Sequence, residues 1–278
     1  HAQGEYRSQT LLGCAAGTLH MTRCDWQKAD AVLSSCYAAI AQTDDRQMLG
    51  VAQCLLGLCH LFQGDTSQAH EWFDRVSDTG KDQNHHVFKV WGAYAKAEAH
   101  LYAGKLDDAK QLALKARALS KGLGDHQSAC IIEGVLAQVY LANGDARNAY
   151  KHARNAARFA AKLPPTNFST LEGIAAPAQV GAELLRRNGA DPGLDTLIKS
   201  GRKALKSYAN VFKIAQPRHH YVEALYAQAR GDLNSATRQI QKARSASIEL
   251  GMRYEQKLAV SALNAIQEKP DGAPAELH

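Results

Sequence analysis

Apolar and small residues recur at three- and four-residue steps on both sides of a turn-like dipeptide that returns along the chain. The dipeptide stands at Cys24-Asp25, Gly64-Asp65, Gly104-Lys105, Gly144-Asp145 and Gly231-Asp232, the first four of them 40 residues apart. Five residues after each anchor comes an alanine: Ala29, Ala69, Ala109, Ala149 and Ala236. Seven before each stands Gly17, Gly57, Ala97, Ala137 or Ala224. These steps put the apolar positions on one helical face, so each dipeptide joins two amphipathic helices. Glycine permits the positive φ that ends the first helix, and the polar residue after it can cap the second. The paired small residues let the two helices approach closely. A single hairpin cannot bury its face, whereas stacked hairpins share a continuous core.

Gly189 marks one more unit between Gly144 and Gly231; it keeps Ala182 but has Leu194 where alanine is expected. The pattern predicts an all-α chain of about six helical hairpins over residues 1–267. Leu163-Pro164-Pro165-Thr166-Asn167 and Asp191-Pro192-Gly193 are expected to be joints, near 163–167 and 190–193, because a residue before proline is pushed out of the helical region. Thr79–His86 is expected to be a polar connector, and the segment 268–278, rich in proline and glycine, a disordered tail.

The residues in register, clearest in Ala137, Tyr140, Gly144, Ala149, Ala153 and Ala156, resemble the tetratricopeptide (TPR) family. They return as Ala97, His100, Gly104, Ala109, Ala113 and Ala116, and the resemblance covers most of residues 8–266. It implies a right-handed superhelical solenoid, although a period near 40 departs from the ordinary 34 or so. A narrower likeness spans Phe212-Lys213-Ile214-Ala215-Gln216-Pro217-Arg218, Ala229-Arg230-Gly231-Asp232 and Ile248-Glu249-Leu250-Gly251-Met252-Arg253-Tyr254-Glu255. This is similar to the C-terminal TPR-like arm of STAND-type signalling ATPases, some fused to class III nucleotide cyclases. That likeness implies a sensor or regulatory arm, with ATPase and cyclase activities outside this chain.

Composition narrows the function classes. The 278 residues are 45% hydrophobic and only 7% aromatic, and no apolar run is long enough to span a membrane. No charged segment followed by an apolar one opens the chain as a secretory signal would. Six cysteines lack any CxxC or paired spacing, so they are expected to be reduced structural thiols in a cytoplasmic setting. The net charge of +6 is uneven: residues 1–120 hold 12 Lys+Arg against 13 Asp+Glu, and the remainder 21 against 14. An acidic partner should therefore prefer the second half.

Chemistry-bearing motifs are missing. There is no GxxxxGK[ST], no GxSxG and no HExxH, since Asp74 stands where the second histidine would be. No cofactor, metal or catalytic residue is assigned. His20, His60 and His100 fall 40 apart with Tyr140 next in register, either as a ladder for metal or pH sensing or as planar side chains wedged between hairpins. His85-His86 and His219-His220 are placed in connectors.

The TPR resemblance implies that first helices line a concave groove, offering Val51, Leu58, Phe62, Trp91, Tyr94, Glu98, Tyr102, Ile131 and Gln138, then Glu183, Arg218 and Tyr221. Such a groove would take an amphipathic helix or an apolar extended segment; the alternative is that the helices bury these residues against each other. Lys151, Arg154, Arg158 and Lys162, and then Lys199, Arg202, Lys203 and Lys206, each lie on one helical face. They form either a solvated outer surface or a contact for an acidic partner or neighbouring domain. The expected function is a non-catalytic protein–protein interaction scaffold, the regulatory arm of a larger ATP-dependent signalling protein. Its partner is a protein or peptide, another domain of the parent chain included. A nucleic-acid-binding solenoid using the basic second half is the alternative.

Overall fold

The computed structural model of the protein describes residues 2–189 and 191–267; the expected disordered tail, 268–278, lies outside them. The described residues form thirteen α-helices: α1 Ala2–Thr22, α2 Trp26–Ile40, α3 Arg46–Gln63, α4 Thr66–Asp82, α5 His86–Tyr102, α6 Leu106–Leu119, α7 His126–Ala142, α8 Ala146–Ala160, α9 Leu171–Asn188, α10 Pro192–Val211, α11 Gln216–Ala229, α12 Leu233–Glu249 and α13 Arg253–Gln267. Consecutive helices pack as antiparallel pairs, α1 with α2 through α11 with α12, and α13 adds a last unpaired helix. Short 3-10 turns at Phe168–Thr170 and Lys213–Ala215 precede α9 and α11.

The anchors fall where the register places them. Gly64, Gly104, Gly144 and Gly231 adopt φ of 76° to 80°. Cys24 takes the same left-handed conformation at 61° without being glycine. Asp65, Asp145 and Asp232 then accept backbone N–H bonds from Gln68, Asn148 and Ser235, capping α4, α8 and α12. Ala29, Ala69, Ala109, Ala149 and Ala236 have no exposed surface. At Gly57 a methyl group would stand 2.3 Å from the Phe73 ring, and at Gly17 2.5 Å from Leu33. Small residues here set the distance between paired helices.

First helices also stack on one another, so α1, α3, α5, α7, α9, α11 and α13 form a row. The row turns far enough that α13 rests on α3. There the Trp26 indole N–H donates to the Leu250 carbonyl at 2.6 Å, a contact across 224 residues. Tyr254 stacks on Tyr102 with ring centroids 3.7 Å apart. Arg253 crowds Gly64 so closely that a Cβ there would lie 2.8 Å from the arginine's own.

Two local expectations are corrected. Thr79–His86 is not a connector: α4 continues to Asp82 and α5 begins at His86, leaving Gln83–His85 between them. Gly80 permits this by letting α4 touch the backbone of Phe88 and Lys89. His219 and His220 lie inside α11 rather than in a connector, because Pro217 opens that helix. Asp191 is an N-cap, accepting from Gly193 and Leu194, with Pro192 in the first turn of α10. All six cysteines are unpaired thiols, and burial pushes Cys54 and Cys130 up to about 12.

Candidate functional site

The expected groove residues come together, but they face the chain itself. Phe62, Tyr94, Glu98, Tyr102 and Gln138 are all buried. Phe62 packs on Phe168 before α9, and Tyr102 meets Glu172 of α9 and Tyr254 of α13. Trp91 remains half-buried, at a cavity of about 150 Å³ shared with Val51, Leu58, Tyr94 and Ile131. That notch has room for about one apolar side chain.

A charged cluster fills the interior beyond the notch. Arg218, at 0% exposure, donates a bidentate pair to Glu255 at 2.8 and 2.9 Å. Its other arm reaches Glu172 at 3.0 Å and Gln179 at 3.3 Å. Burial opposes the guanidinium's charge, but Glu172 and Glu255 outweigh it and hold Arg218 above its ordinary range. Tyr102 has one hydroxyl hydrogen and lies 3.2 Å from Glu98 and 3.4 Å from Glu172. Burial first, then the Glu172 carboxylate, pushes Glu98 up to about 8, so it carries a proton at neutral pH. Glu98 Oε2, Glu172 Oε1 and Gln138 Nε2 have no hydrogen-bond partner among the described residues.

Sequence reasoning placed Arg218 and Glu98 in the groove but did not pair them with Glu172 and Glu255. The signal was a carboxylate inside an apolar helical run, as in Leu171-Glu172-Gly173-Ile174.

His60 and His100 of the 40-residue register pack on the second helix of the preceding hairpin, and His20 lies 3.7 Å from Asp25, the residue before α2. His60 lies 3.4 Å from Asp30, and the His100 ring meets His70 at 4.7 Å. Tyr140, next in register, stacks against His152 and receives the Lys110 ammonium over its face. Asp30, His70 and Lys110 are themselves 40 apart, so one contact repeats down the array with changing chemistry. Among the described residues no group of three or more potential ligands could hold a metal ion.

The basic residues stay outside, on second helices, with Lys162 just past the end of α8. Lys151, Arg154, Arg158, Lys199, Lys203 and Lys206 are exposed. Arg202 differs: it forms a bidentate pair with Glu223 at 2.8 and 2.5 Å and lies over the Tyr226 ring, so it is a structural tie between α10 and α11. Two clefts flank α8. One, of about 850 Å³, lies against α10 and contains Arg147, Lys151, Arg154 and Arg158. The other, about 670 Å³, lies against α6 and shares Asn155 and Arg158. In the second, Glu133 is engaged by Arg117, His152 and Asn155 at 2.7 to 3.0 Å; burial opposes its charge, yet these partners hold it below the usual carboxylate range.

No helix among the described residues is long and apolar enough to cross a membrane. No family model and no curated protein matches the chain.

Proposed function

We propose that the chain is a non-catalytic protein–protein interaction module: a right-handed, TPR-like solenoid acting in the cytoplasm as the regulatory arm of a larger ATP-dependent signalling protein. The observation that carries this reading is the division of polar groups. The interior carboxylates and Arg218 tie helices together at 0–3% exposure, where no substrate reaches them, whereas the outer second helices present unpaired cations. A scaffold needs the first arrangement for rigidity and the second for a partner.

Photoreactive groups placed at Trp91 and at Lys151, irradiated in native extract, test it. A discrete protein adduct at either position is expected. Adducts with nucleic acid alone, or none at either position, would refute the interaction reading.

A further inference from the structure

We infer that the cleft between α8 and α10 seats an extended acidic polypeptide segment. The inference rests on the interaction reading and gives its partner a chemistry. Arg147, Lys151, Arg154 and Arg158 follow steps of four, three and four along one wall. With 1.5 Å rise per residue those steps put the cations about 6, 4.5 and 6 Å apart along the axis. Alternate side chains of an extended strand are about 6.6 Å apart. An acidic residue at every second position can therefore meet successive cations.

The positive charge of this cleft is not neutralised from within. None of its lining residues is a carboxylate. Two carboxylates stand at its ends as helix caps, Asp145 and Asp191; Asp145 offsets part of the Arg147 charge and leaves Lys151, Arg154 and Arg158 to the cleft. The facing wall suits a peptide backbone. Thr196 and Ser200, one helical turn apart, donate their hydroxyl hydrogens to Pro192 and Leu197 at 3.0 Å. Their oxygens keep lone pairs free to accept from the N–H groups of an incoming strand.

Nucleic acid shares the charge but not the rest. Single strands need aromatic faces on which bases stack. Here Tyr150 lies beneath the Arg154 guanidinium at 5.7 Å, and Phe159, which opens on the cleft against α6, lies beneath Arg158 at 5.9 Å. Those rings orient cations instead of receiving bases.

The test is fluorescence anisotropy of the full chain with a labelled peptide of about twelve residues alternating Glu and Ala. An oligonucleotide of matching charge serves as competitor. Arg154→Glu with Arg158→Glu should weaken peptide binding by roughly ten-fold or more, while Lys203→Glu with Lys206→Glu, beyond the cleft on α10, should change it by less than about two-fold. If the first pair fails to fold, judged by circular dichroism, Lys151→Gln with Arg154→Gln replaces it and should still weaken binding. Equal losses in both pairs, a tighter complex with the oligonucleotide, or no peptide binding at low salt would overturn the assignment. A protein adduct at Trp91 together with no peptide binding would retire the cleft and leave the interaction module standing.

Discussion

Glycine at a turn does two separable jobs, and Gly64 and Gly144 divide them. Both hold a left-handed φ, which costs a residue with a Cβ about 1–2 kcal/mol. Around Gly144 nothing lies within 4 Å of an added Cβ, so Gly144→Ala should lose only that amount. Gly64 is also pressed by Arg253 and the Tyr254 backbone, so Gly64→Ala must lose more, visible as a larger fall in Tm measured by calorimetry. Turn glycines and helix-contact alanines were legible because each returns in register every 40 residues. The pressure on Gly64 was not, since its cause lies 189 residues along the chain, at Arg253.

The helices repeat in geometry more faithfully than in capping chemistry. Lys105 opens α6 with φ −86° and ψ 75°, almost the values of Asp65 at −85° and 77°, yet only Asp65 accepts a capping hydrogen bond. Asp65→Ala should cost about 1 kcal/mol and Lys105→Asp should recover about 0.5–1 kcal/mol, both readable from chemical denaturation midpoints. Twelve of the thirteen helices follow from the hairpin pattern, because three- and four-residue steps are local information. The connectors were harder. Thr79–His86 has polar, unpatterned composition, but a buried Gly80 lets α4 extend along α5, and that contact is tertiary.

For the molecule as a whole, the interior carboxyl of Glu98 couples stability to pH. Glu98 is neutral in the fold up to about 8, but in an unfolded chain it ionises near 4.5. Between those values the folded state holds the extra proton, so this contribution is complete below 4.5 and is lost as pH rises through 8. Glu172, Glu255 and Arg218 face the same pocket from α9, α13 and α11, so ionised Glu98 adds a third carboxylate against one guanidinium. Glu98→Gln, which mimics the neutral acid, should flatten the fall in Tm between pH 6 and 9; an unchanged slope would show that Glu98 is already ionised in the fold. Residues Glu98 and Arg218 were visible as groove candidates. That the row of first helices would turn far enough to bring α13 onto α3 was not, because such a turn accumulates from small angles between hairpins.

The bond from Trp26 to Leu250 has a consequence for how the chain acquires its structure. Open repeat arrays complete each unit once its immediate neighbour has left the ribosome and need nothing from distant units. Here neighbouring hairpins can form early from local contacts, but the first of them keeps an unfilled face until α12 and α13 have been synthesised. The final step joins partners of very large sequence separation, which makes it the slow one. Slowed translation over the last two helices should therefore prolong the protease sensitivity of the first hairpin, at the opposite end of the chain.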